Sequence, residues 1–166
     1  MRRITSVGTF PRHPIRSGNG WQGDAARTFM VGEVSEQKRK LVKTTEECFF
    51  KAIERLRDGS PLGDIGYNVQ THAEANGFSV VRALVGHGIG REMHEDPSVP
   101  NFGKLGTGTR LKAGTVLCIE PMIALGDWRV KLLPDGWGAV TADGKAAAHY
   151  ENTVVVREDG VEILTL

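Results

Sequence analysis

An α+β fold, an antiparallel sheet with covering helices, is predicted for this chain by three observations. Apolar residues recur at a 3.6-residue period only between residues 35 and 77. After that they fall into short β-type runs, Phe78-Ser-Val-Val81, residues 115–120 and residues 146–156. Turn residues separate these runs, and Asp143-Gly144 has the composition of a tight hairpin. Helices first and antiparallel strands afterwards is the α+β order, not the alternation of βαβ units.

Each element has its own grounds. Thr28-Phe-Met-Val31 is an apolar run closed by Gly32 and reads as a short strand. Ser35 is a suitable N-cap for a long helix whose inward positions are Leu41, Thr45, Cys48, Phe49, Ala52, Ile53 and Leu56, with Gly59 as the stop. Ser60-Pro61 opens a second helix with Ile65, Val69 and Ala73 inward, ended by Gly77. The strand at 115–120 is followed by strands at 129–133 and 138–142. The latter meets the strand at 146–156 through Asp143-Gly144. Glu158-Asp-Gly160 then turns the chain into a last strand, Val161–Leu164.

Composition sets outer bounds. The 166 residues suit one domain with a sizeable core. A net charge of +1 with 25% charged residues carries no nucleic-acid or membrane-surface footprint. No apolar run approaches the ~20 residues that span a bilayer. Cys48 and Cys118 both occupy apolar-periodic positions and read as buried free thiols, which suits the cytoplasm. Residues 1–23 differ from the rest: Arg2, Arg3, Arg12, His13 and Arg16 occur without any acid, among Pro11, Pro14 and several glycines. They read as a poorly structured leader before a domain at 24–166.

The chemistry lies in acids and one imidazole set in apolar surroundings. Glu120 follows Val116-Leu-Cys-Ile119 and precedes Pro121. A carboxylate there costs several kcal/mol unless something positive meets it. Either an arginine such as Arg82 or Arg110 or a cation would serve, and the in-strand position favours a cation. Glu151 leads into Val154-Val-Val156, and strand alternation leaves its face open. His87 lies between Gly86 and Gly88, where the backbone can crowd close, and reads as a ligand or as a hydrogen-bonded core histidine. Asp24 after Gly23 reads as a turn residue or a ligand. Taken alone, His94 is a loop histidine and Trp137 a core anchor. His-Glu-x-x-His, paired Cys-x-x-Cys, P-loop and Gly-x-Ser-x-Gly motifs are absent, which leaves a metal-activated water as the economical chemistry.

Gly86-His-Gly-Ile-Gly-Arg-Glu-Met-His-Glu-Asp-Pro97, Ile119-Glu-Pro-Met122, Asp135-Gly-Trp137 and Tyr150-Glu-Asn-Thr-Val154 closely resemble type I methionine aminopeptidases. Asp24 with Arg27-Thr-Phe-Met-Val-Gly32 fits the same pattern, so the resemblance runs in order from about Gly20 to Leu166. It implies a pita-bread fold, with an incomplete first half, and a dinuclear centre of divalent ions such as Co, Mn, Fe or Zn. Under that resemblance Asp24 and Glu151 bridge two ions, and His87 and Glu120 complete the second. His94 matches the histidine that contacts substrate and stabilises the oxyanion, and Trp137 lies near the methionine pocket. Met93 stands where the family commonly carries an aromatic residue that shapes that pocket.

The family's first ligand aspartate falls at His13, in Pro11-Arg-His-Pro14, which does not resemble the family's strand. One firmly held ion and weak cleavage are therefore expected. The resemblance implies removal of methionine from the N-terminus of new polypeptides, with ribosome association. Two other classes are a non-enzymatic pita-bread module that binds peptide or protein, and a weakly active or inactive fragment. An unpaired sheet edge left by the incomplete half predicts self-association.

Overall fold

The computed structural model describes residues 19–134 and 138–165. His13, most of the 1–23 leader and Trp137 lie outside the described residues. The elements in chain order are β1 (Ala25–Ala26), α1 (Glu36–Ile53), α2 (Gly63–Ala75), β2 (Ser79–Val80), β3 (Gly86–Gly88) and β4 (Glu95–Val99). Then come β5 (Val116–Ile119), β6 (Met122–Ala124), β7 (Val130–Leu132), β8 (Ala139–Thr141), β9 (Ala147–His149), β10 (Glu151–Val156) and β11 (Val161–Ile163). All strand pairs among them are antiparallel. The α+β expectation is met.

The largest sheet runs β1-β10-β5-β3-β4, with β11 also paired to β10; a three-stranded sheet runs β2-β6-β9, and β7 pairs with β8. The two helices form a covering layer. α1 buries Leu41, Cys48, Phe49 and Ala52, and α2 buries Ile65, Val69 and Ala73. These side chains join Leu117, Ile119, Ile123, Val154 and Val156 of the sheets in one core. Each fully buried Leu, Ile or Phe contributes about 1.5–3 kcal/mol over its exposed state. Gly66 lets α2 lie against the backbone at Pro100 and Phe102, because a Cβ there would run into both carbonyl oxygens.

Two of the four helix boundaries follow their predicted signals, while α1 stops at Ile53, short of Gly59, and α2 starts at Gly63, beyond Ser60-Pro61. Ser35 occupies the N-cap of α1 in an extended conformation. α2 ends at a left-handed Gly77, where the Gly77 N–H bonds the Glu74 carbonyl and the Phe78 N–H bonds that of Ala73. That pair of bonds is the glycine-terminated helix end expected at this position. Cys48 and Cys118 are both buried free thiols, as expected. Burial, with Glu47 adding to it, pushes the Cys48 thiol up to about 12. Among the described residues, no helix is long and apolar enough to cross a membrane.

Several strands differ from the sequence expectation. The first strand lies at Ala25–Ala26 instead of 28–31, and Phe29, Met30 and Val31 are exposed. The Thr28 hydroxyl accepts from the His149 N–H and donates to the His149 carbonyl, so a side chain takes over the ladder at that point. The Asp143-Gly144 turn forms, with Gly144 at φ 72°. Yet β8 pairs with β7, and β9 pairs with β6. The run at 146–156 is interrupted at Tyr150, giving two strands in two sheets.

Candidate metal centre

Two chain segments leave the large sheet for the small one at the same place. β5 pairs with β10, matching Ile119 to Asn152, and β6 pairs with β9, matching Met122 to His149. Between these ladders, Glu120-Pro121 lies opposite Tyr150, whose N–H donates to the Pro121 carbonyl at 3.2 Å. Pro121 has no N–H to give to a ladder, which suits a break. The consequence is geometric: side chains flanking the break, Glu120, His149 and Glu151, turn toward one point.

Glu151 is 1% exposed, the most buried acid among the described residues. Both faces of β10 are covered, so alternation did not sort its side chains into wet and dry. Arg27 braces the break: it donates to the Glu151 carbonyl and to Asn152 Oδ1, and its guanidinium lies 4.1 Å from the Tyr150 ring centroid. Asn101, itself buried, donates to the Glu120 carbonyl at 2.9 Å. Asp24 is buried just before β1, and its backbone is tied to Thr153 by three hydrogen bonds.

His87 enters from β3. Gly86 and Gly88 are required on either side, because a Cβ on Gly86 would overlap the Cys118 carbonyl and one on Gly88 that of Asp96. Overpacking a dense site by one methyl typically costs about 1–3 kcal/mol. Gly86→Ala is therefore expected to lower the urea midpoint by a corresponding amount and to weaken divalent-ion affinity with it. An unchanged midpoint would mean that β3 and β5 separate freely.

The imidazole of His87 has a fixed tautomer. Its Nδ1 lies 2.9 Å from the Gly88 carbonyl, which only accepts, so Nδ1 carries the proton. In the neutral ring Nε2 then presents a lone pair. Nε2 lies 3.8 Å from Glu120 Oε1. His149 Nε2 lies 3.4 Å from Glu120 Oε2 and 3.9 Å from Glu151 Oε2. All three separations exceed the ~2.7–3.2 Å of a hydrogen bond. Two donors each ~2.0–2.2 Å from one ion lie no more than about 4.4 Å apart. Imidazole nitrogens and carboxylates at such spans are spaced as a shared cation would space them, and the donor set fits a divalent ion.

Four positions singled out in the sequence thus meet unequally. Glu120, His149 and Glu151 form one set with donor atoms within 4.8 Å of one another, and His87, Cys118 and Glu151 form another. Asp24 belongs to neither set among the described residues, but its carboxylate acts on the Cys118 thiol together with those of Glu151 and Glu120. Burial, chiefly, and these three acids push that thiol far up, against a lowering hydrogen bond with Thr153. It therefore stays a thiol beside the oxygen donors. His94 is exposed, and its ring centroid stands 4.3 Å from that of His87, in an open cleft that Glu95, Asp96 and Ser98 also line. Met93 is half-buried next to it. Beyond His149 lies an apolar cavity of about 150 Å³ lined by Val81, Leu84, Met122, Val130 and Val140.

Sequence reading passed over His149. Its signal was the i, i+2 spacing to Glu151, which places both on one face of a strand. Arg82 and Arg110, the candidate partners for Glu120, are engaged elsewhere. Arg82 stacks over Phe102 and Trp128, and Arg110 donates to the Gly59 carbonyl.

Comparison with known proteins matches a family described as Metallopeptidase family M24 over residues 15–158. A methionine aminopeptidase of Clostridium perfringens is 60% identical over 148 residues, covering 89% of this chain and 59% of the relative. Methionine aminopeptidase A of Synechocystis is 55% identical, covering 89% of this chain and 58% of the relative. The crystal structure of a methionine aminopeptidase from Thermotoga maritima superposes with a TM-score of 0.87 at 50% identity, covering 89% of this chain and 59% of that one. The chain spans about 59% of the length of the curated relatives it matches. A prolidase from Pyrococcus furiosus, 24% identical with a TM-score of 0.69 and covering 89% of this chain and 38% of that one, shares the fold.

Proposed function

The chain belongs to metallopeptidase family M24, with the pita-bread fold of that family, and from this membership we propose that it removes N-terminal methionine from newly made polypeptides. The observation that carries the proposal is His87 Nε2 facing Glu120 Oε1 at 3.8 Å, beside the buried carboxylates of Glu151 and Asp24. We assign the catalytic domain to residues 24–166, and the metal donors to Asp24, His87, Glu120 and Glu151. An oxygen-rich set with imidazole suits Mn, Fe, Co or Zn, with one ion held firmly by the described donors. Such an ion, when bound, supplies Lewis-acid activation of water and of the scissile carbonyl.

The chain's own residues do the rest. Gly88 fixes the His87 ring through its Nδ1–H, so the ring does not rotate away from the cleft. Arg27 and Thr153 hold the backbones of Glu151 and Asp24 in place. His94, exposed in the cleft beside His87, is placed to donate to the oxygen that gains charge as the scissile carbonyl is attacked. Removing one such donor costs on the order of 100–1000-fold in kcat. Met93 and Trp137 are assigned to the methionine side, and the apolar cavity beyond His149 to an apolar substrate side chain.

The test pairs metal analysis of the purified chain with cleavage of Met-Ala-Ser. The expected result is cleavage that stops with a chelator, returns with added Co or Mn, and falls about 100-fold in His94→Ala at similar KM. Cleavage indifferent to chelator would sink the proposal.

Buried unpaired thiols persist in the cytoplasm, where nascent chains emerge near the ribosome, and we place the activity there. The exposed run Phe29-Met30-Val31 forms an apolar strip, and such strips recruit other chains. Self-association at micromolar concentration is expected in light scattering. A mass that stays monomeric across a hundredfold dilution series would count against it.

A further inference from the structure

We propose that His149 is a further nitrogen donor to the divalent ion, beyond Asp24, His87, Glu120 and Glu151. The inference rests on the metal-centre reading above and adds a ligand to it. Three observations carry it. The first is position: Glu120 lies between two imidazoles, with Oε1 toward His87 Nε2 at 3.8 Å and Oε2 toward His149 Nε2 at 3.4 Å. The second is span. From the same Nε2 to Glu151 Oε2 is 3.9 Å, so one nitrogen faces two carboxylates at distances a shared ion can bridge.

The third is constraint. The His149 backbone is pinned from both sides, by the ladder to Met122 and by the paired bonds with the Thr28 hydroxyl. The ring as a whole is 22% exposed, but Nε2 itself is buried and faces the two carboxylates.

A second imidazole also changes what the centre prefers. Carboxylates alone suit Mg and Mn, whereas nitrogen donors draw Co, Ni and Zn. The ligand role therefore predicts an affinity for Co(II) that depends on His149 more steeply than the affinity for Mn(II) does.

The experiment loads the full chain, His149→Gln and His149→Ala with Co(II), and reads calorimetric affinity together with the visible absorption of the bound ion. The expected result is about a tenfold or greater loss of Co(II) affinity in both variants, a smaller loss for Mn(II), and a changed absorption envelope. If His149→Ala does not fold, His149→Gln, closer in size and polarity, carries the comparison. An unchanged envelope overturns the ligand assignment, whether or not affinity falls, because a residue that only positions Glu120 leaves the coordination sphere as it was. Failure of the unsubstituted chain to take up Co(II) sinks the metal-centre reading along with it. Uptake with an envelope indifferent to residue 149 sinks the ligand assignment alone.

Discussion

Glu120→Ala is expected to abolish tight divalent-ion binding, while Glu158→Ala leaves it intact. Glu120 sits at the break between two sheets with one oxygen toward His87 and the other toward His149, at 13% side-chain exposure. Its loss removes the carboxylate that both imidazoles face. Losing an outer partner of a ligand already costs about 10–100-fold in metal affinity, and an inner donor should cost more. Glu158 is exposed on the turn before β11 and serves as the matched loss of one negative charge. A second readout follows from mass action. A ligand that binds only the folded state stabilises it, so chelator should lower the melting temperature of the unsubstituted chain and of Glu158→Ala, but not that of Glu120→Ala. Equal affinities in the two variants would remove Glu120 from the centre.

The largest effect on stability is expected from Phe49→Ala. Phe49 is fully buried on α1, edge-on to Phe50 at 5.3 Å and tilted against Tyr150 at 5.5 Å between ring centroids. Truncating a buried Phe costs about 3–5 kcal/mol, part of it from the cavity left behind. Tyr150 is the residue between His149 and Glu151, so the cavity opens directly under the strand break. Metal affinity should therefore fall as well, though less than in Glu120→Ala. Phe49→Leu should recover most of both losses. Urea unfolding checks the first and calorimetry the second. A loss below about 1 kcal/mol would show that the break stands without support from the helix.

Much of the architecture was legible in the residues, and the exceptions have physical causes. Leu41, Cys48, Phe49 and Ala52 announced α1 because a helix with one wet face must repeat its apolar positions. Gly77 announced the end of α2 because only glycine takes that backbone angle at no cost. Residues 28–31 misled, since an apolar run is read as a strand on the premise that it is buried, and Phe29 to Val31 are exposed. Asp143-Gly144 specified a turn, but a turn is local and says nothing of which strand lies alongside, and β8 went to β7. β4 had no apolar signal at all in Glu95-Asp-Pro-Ser-Val99; it owes its strand form to the pairing offered by Gly86 and Gly88.

At the centre, His87 and Glu120 were readable from apolar context and glycine flanks. Glu151 was not assignable to a face, because a strand covered on both sides has no wet face to compare with. His149 carried only its two-residue spacing to Glu151, and it is the interruption at Tyr150 that brings the two together with Glu120.

The hydrogen bonds between Asp24 and Thr153 join residues 129 positions apart. Closing so long a loop costs entropy before it returns any contact, and folds dominated by such pairings form slowly. Asp24 is made well before Thr153 and pairs only once that strand has followed. The donor cluster therefore comes together only after β10 has been made. Late assembly ties any uptake of a divalent ion to a chain in which β1 and β10 have already met.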